Sequence, residues 1–141
     1  VDNEPKKPIW RTIEFLPTLE FLLNGGYESN LKQYNLYLEA KDKPHALDDQ
    51  IIDRSIKLFT SQLDDMWYYE KQISRWKKEN PDKQLQLDHL FAKYERFKEI
   101  TQKILALVDG LKKHTINRIL EMDDIELAKK TMSGEIPFPK F

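Results

Sequence analysis

The chain has 141 residues, of which 40% are hydrophobic and 33% charged, with only four glycines, a mixture that fits amphipathic helices with solvated outer faces and argues against an all-β sandwich. Lys and Arg number 23 against 24 Asp and Glu, a net charge of -1, so no global field draws the chain onto nucleic acid or an anionic membrane. There is no cysteine, which removes disulfides, thiolate zinc sites, iron–sulfur clusters and cysteine nucleophiles together.

Residues 1–8 carry Pro5, Lys6, Lys7 and Pro8 and read as a flexible arm. Beyond it, Trp10, Ile13, Leu16, Leu19, Leu22 and Leu23 come close to helical spacing and are interrupted by Pro17, which predicts a kink or a fresh helix start. Asn24-Gly25-Gly26 predicts a break, because glycine supplies the positive φ of a helix C-cap. Tyr27, Leu31, Tyr34 and Leu38 then recur at four, three and four residues and predict a second piece of this first segment.

Pro44 marks a connection over residues 41–47. Asp48, Asp49 and Asp53 put negative charge at the start of a helix whose core row is Ile52, Ile56, Phe59, Leu63, Met66, Tyr69, Ile73 and Trp76. Lys77 and Lys78 complement its C-terminal dipole. Asn80-Pro81 reads as an N-cap with proline in the next first turn, so the two longest helices should be antiparallel neighbours across a very short turn.

From Leu87 the apolar spacing alternates three and four through Leu90, Tyr94, Phe97, Thr101, Ile104, Val108, Leu111, Thr115, Arg118 and Met122, the repeat of a long coiled-coil-like helix packed against others. Asp123 with Glu126 resembles a capping box for a short last helix that Ser133-Gly134 ends. The tail at residues 135–141 alternates Ile136, Phe138 and Phe141 with Pro137 and Pro139 and should be extended. The expected fold is all-α: an antiparallel bundle of three long helical segments, the first broken and so giving four helices if it folds back, plus a short C-terminal helix and a tail. One helical domain should cover residues 9–134. No run of about 18 apolar residues occurs, so no segment is expected to span a bilayer.

No segment carries a family motif, and nothing points to a cofactor. A di-metal helical bundle needs a Glu-x-x-His step, and three residues before His45, His89 and His114 stand Asp42, Gln86 and Leu111, so no metal site is expected. The acidic pairs Asp48-Asp49, Asp64-Asp65 and Asp123-Asp124 diverge by about 100° on a helix and do not converge on one substrate atom. Gly25-Gly26 lacks the lysine and the preceding strand of a phosphate loop.

What remains points to a non-enzymatic interaction or adaptor module that self-associates or binds a protein partner. Its candidate partner-binding residues are Trp67, Tyr68 and Arg75, together with Ile136, Phe138 and Phe141 of the tail. Tyr68 should turn away from the core row, either as a hot spot for a partner or covered by the N-terminal segment. The alternative is a nucleic-acid-associated subunit, with Lys71, Arg75, Lys77, Lys78 and Lys83 at the hairpin tip contacting phosphates. A second alternative is a small-molecule binder or enzyme with a pocket near Trp67. A cytoplasmic location is the default expectation, with processing ahead of Val1 as the other.

Overall fold

The computed structural model describes residues 8–43 and 47–112. Among these residues the chain is all helical with no strand: α1 (Leu16–Lys41), α2 (Asp49–Asp65), α3 (Trp67–Glu79) and α4 (Gln84–Leu111), with 3-10 turns at Ile13–Phe15 and Pro81–Lys83. Consecutive α2 and α3 form one segment in two pieces, so the three long segments expected from the spacing are present. Residues 1–7 of the expected arm, His45, and everything after Lys112 lie outside the described residues. The second group includes Thr115, Arg118 and Met122 of the long repeat, the short last helix, and Ile136, Phe138 and Phe141 of the tail.

The broken segment is the second rather than the first. Helix α1 runs uninterrupted through Asn24-Gly25-Gly26. A Cβ built on Gly26 would stand 2.8 Å from Cζ of Phe97 on α4, so this glycine serves the close approach of two helices and not a left-handed cap. Pro17 occupies the first turn of α1, where its missing N–H would have no helical acceptor, making it a fresh helix start. The break falls at Met66, with no proline or glycine nearby. There Met66 N donates to Leu63 O at 3.2 Å and Tyr69 N to Met66 O at 3.1 Å, so the ladder tightens from four-residue to three-residue steps. That step changes the phase of α3 against α2.

Side-chain pairs fix the direction of each helix. Lys93 with Glu20 and Thr101 with Asn30 rise together in number, so α1 and α4 are parallel. Tyr37 with Ser55 and Asn30 with Gln62 run in opposite senses, so α2 is antiparallel to α1. Lys77 with Asp88 and Glu70 with Tyr94 show the same for α3 and α4, an up-down-up arrangement. Asp48 opens α2 as expected, its carboxylate accepting from Ile51 N at 2.8 Å. Asn80 behaves differently from its expected role: its Nδ2 donates back to Trp76 O at 3.1 Å, closing α3 instead of capping the next helix.

The heptad row of α4 is buried at every described position from Leu87 to Leu111. Leu19, Leu23, Ile73 and Trp76 pack on its first half, while Tyr37, Ile52 and Phe59 pack on its second. On α1 the buried positions are Leu16, Leu19, Leu23, Asn30 and Tyr37. The expected row of Tyr27, Leu31, Tyr34 and Leu38 falls beside that face, the first three half-buried and Leu38 exposed. A continuous α1 takes its phase from Leu16 to Leu23 and carries it past the glycines.

A polar layer separates the two apolar clusters. Asn30 Nδ2 donates to Gln62 Oε1 and to Thr101 Oγ1, both at 2.8 Å, and the Thr101 hydroxyl donates to Phe97 O at 2.8 Å. One residue from each long segment takes part, so sliding any helix by a turn would leave buried polar groups unpaired at about 1–3 kcal/mol each. Thr101, which interrupts the apolar repeat of α4, thereby sets the register of the bundle.

The two adjacent glycines of α1 should respond oppositely to alanine. Nothing lies within 4 Å of a Cβ on Gly25, so Gly25→Ala is expected to stabilise the folded chain by about 1 kcal/mol through helix propensity. Gly26→Ala must displace the Phe97 ring and is expected to destabilise by about 1–3 kcal/mol. Urea midpoints of both variants against the parent chain test the pair.

Candidate interaction surface

Ahead of α1, residues 9–12 lie along α3 as a strap. The carbonyl oxygen of Ile9 accepts from Tyr68 Oη at 2.6 Å, Arg11 N donates to Gln72 Oε1 at 2.7 Å, and Trp76 Nε1 donates to Arg11 O at 2.9 Å. Tyr68, Gln72 and Trp76 stand at four-residue intervals and so form one ridge of the helix. Trp10 stacks on Tyr68 with ring centroids 5.5 Å apart and planes 8° from parallel, and the Arg75 guanidinium sits 4.7 Å from the Trp10 ring centre. Gln72 is buried, and its Nε2 has no protein partner.

Tyr68 and Arg75 are therefore brought together, with Trp10 as their shared contact and the N-terminal segment as the cover. Trp67 is 41% exposed and meets the Tyr68 ring edge on. Among the candidate phosphate contacts, Lys71, Arg75 and Lys78 share the outer face of α3, at spacings of four and three. Lys77 turns the other way, bonding Asp88 at 2.6 Å and lying 5.6 Å from the Phe91 ring centre, and Lys83 is half-buried. The five cations do not form one patch.

An open cleft of about 480 Å³ lies between the starts of α1 and α4, with Lys83, His89 and Lys93 facing Glu20 and Asp82. Its charges are of both signs, and Lys93 is already committed to Glu20 at 2.6 Å. A second cleft of about 410 Å³ is lined by Glu70, Tyr94 and Glu95. Burial, then the neighbouring Glu70 carboxylate, pushes the Tyr94 hydroxyl up to about 12. Burial and Asp65 raise Tyr69, while the Thr12 hydroxyl lowers the exposed Glu14. All three shifts leave the ordinary charge in place at neutral pH, so none of them prepares an acid or base for catalysis. Among the described residues no group of three or more His, Asp or Glu side chains is placed to hold a metal ion, and no helix is long and apolar enough to cross a membrane.

Along the seam between α1 and α2, several large aliphatic side chains stand exposed. Tyr37 and Phe59 meet edge to face at 6.3 Å inside that seam. Leu36 and Leu58 each precede one of these rings, and a step of about 100° turns both outward, away from α4. Leu36 is 57% exposed and Leu58 54%, with Leu22 and Ile51 also exposed. Sequence spacing shows the inward row of α2 and of the first part of α1, and the outward row of α1 is visible only once α1 is known to be continuous. Its signal was the lack of charge at Leu22, Gly25, Ser29, Gln33 and Leu36, and the signal for the strap was an isolated Trp10 beside Arg11.

The chain matches no protein-family model, and no curated protein and no solved structure matches it.

Trp10→Ala removes the stacked ring and the cation–π contact and is expected to cost about 1–2 kcal/mol. The larger effect is local: trypsin should cut after Arg11 several-fold faster, read by mass spectrometry of the fragments under native conditions. For Tyr94, neutral in the fold up to about pH 12 but ionising near pH 10 when unfolded, the favourable contribution is complete below pH 10 and is lost as pH rises toward 12. Tyr94→Phe should therefore lose about 1 kcal/mol less than the parent chain between pH 8 and 11 in urea unfolding.

Proposed function

We propose that this chain is a non-catalytic helical interaction module that self-associates through the open α1–α2 face. The observation that carries the reading is the exposure of Leu36 on α1 and Leu58 on α2, each one residue before a ring of the Tyr37–Phe59 pair and so on the same outer side of the two helices, with Leu22 and Ile51 also exposed. Single exposed leucines need no explanation, but large aliphatic side chains exposed together on two neighbouring helices favour a surface that a partner covers. The geometry suits a helix laid into a groove, with apolar side chains one turn apart acting as anchors. Tyr68 and Arg75, the more conspicuous residues, are less available because Trp10 contacts both.

Light scattering across roughly 1–500 µM, the range over which a small apolar interface dissociates, tests the reading. A mass above one chain is expected at the upper end, falling to one chain in Leu58→Glu with the helical circular dichroism signal retained. A single-chain mass at every concentration overturns it.

A further inference from the structure

Resting on that reading, we infer that the occupant of the open face is α1 of a second copy, lying antiparallel across a twofold axis at Ser29. The outward row of α1 reads Leu22, Gly25, Ser29, Gln33 and Leu36, all exposed and all uncharged. Its steps are three, four, four and three, which read the same in both directions about Ser29. Thr18 and Ala40 extend the row by a further step of four at each end. A twofold at Ser29 accordingly sets Leu22 against Leu36 of the partner subunit, Gly25 against Gln33 of the partner subunit, and each serine against its own copy. Large side chains meet at the two ends and small ones at the crossing point, the arrangement of a self-complementary contact between helices.

Two further observations fit this pairing. Glu28 and Lys32 flank the row and are exposed, and neither takes part in the ion pairs of the described chain. In the antiparallel register Glu28 lies beside Lys32 of the partner subunit, and Lys32 beside Glu28 of the partner subunit, so charge is matched twice by one symmetry operation. The second observation concerns the glycines. Gly26 is accounted for by Phe97, but a Cβ on Gly25 meets nothing within 4 Å, so no contact among the described residues calls for a glycine there. Glycine in mid-helix is unfavourable by about 1 kcal/mol, and one turn from the crossing point it leaves room for Gln33 of the partner subunit. Leu58 of α2 precedes Phe59, which meets Tyr37 edge to face, so it stands on the same side as Leu36 and adds exposed apolar surface near each end of the contact.

The absence of cysteine makes the test direct, since each introduced thiol reports one contact. Under mild oxidation Ser29→Cys is expected to form a covalent dimer at least about ten-fold faster than Leu22→Cys, because only the residue on the axis meets itself within disulfide reach. A mixture of Leu22→Cys and Leu36→Cys should give the mixed dimer, which neither variant gives alone. Lys32→Glu should weaken the dimer several-fold by light scattering, with Glu28→Lys in the same chain restoring it. A dimer in which Leu22→Cys cross-links to itself as fast as Ser29→Cys, or in which the charge exchange restores nothing, overturns the antiparallel register while leaving self-association in place. A single-chain mass at all concentrations overturns the register and the function together.

Discussion

Everything in this bundle rests on one face of α4. Its buried row meets α1, α2 and α3, whereas α1 and α2 meet each other mainly at their edges, through Tyr37, Ser55, Phe59 and Asn30 with Gln62. A helix that must serve three neighbours needs an unbroken repeat, and α4 keeps its three-four spacing over 28 residues. The same constraint explains the glycine at position 26: for α1 to lie close to α4, something had to make way for the Phe97 ring. Among the described residues, three helices gathered on one central row also leave Leu36 and Leu58 exposed on the outer side of α1 and α2.

Within this frame the polar contacts have different roles. The Asn30, Gln62 and Thr101 layer lies inside the bundle and joins all three segments. Such a layer adds little net stability, since its hydrogen bonds replace bonds to water, but it penalises every register in which a partner is missing. The strap contacts lie at the rim of the bundle, two of the three partly buried over Gln72 and Trp76, and hold main-chain atoms of residues 9–11 by side chains of α3. Two parts of the chain some 60 residues apart in sequence are thus joined by three hydrogen bonds and one stacked ring pair, a join expected to open at lower free energy than the core.

The extent to which this fold is legible in the sequence varies with the physics of each element. Helix α4 is legible throughout its described length because periodicity is strong and its one glycine, Gly110, falls only in the last turn; α2 likewise, because Asp48 caps it in the expected way. The glycine pair misleads because glycine has two uses, positive φ and small size, and the sequence shows only the residue. Which use applies depends on Phe97, more than seventy positions away. The break at Met66 has no residue signature at all, since it consists of a shift in hydrogen-bond step. Site residues fare similarly. The outward turn of Tyr68 follows from helical rotation alone, but the ring that meets it comes from a segment whose apolar spacing imitates a helix. The outward row of α1 requires a continuous α1, which the glycines conceal.

The strap has a consequence for how this protein reports on itself optically. The chain contains three tryptophans, and they occupy three different surroundings: Trp76 fully enclosed with its indole nitrogen bonded to the strap, Trp67 half in solvent, and Trp10 stacked face to face on a phenol ring. Emission from an enclosed indole and from a solvated one differs in wavelength, and a stacked indole differs in yield. Release of the strap alters Trp10 and the nitrogen contact of Trp76 while the helices stay intact, whereas loss of the core shifts Trp76 outright. The intrinsic fluorescence of the unlabelled chain thus separates the loosening of its N-terminal end from the unfolding of its bundle.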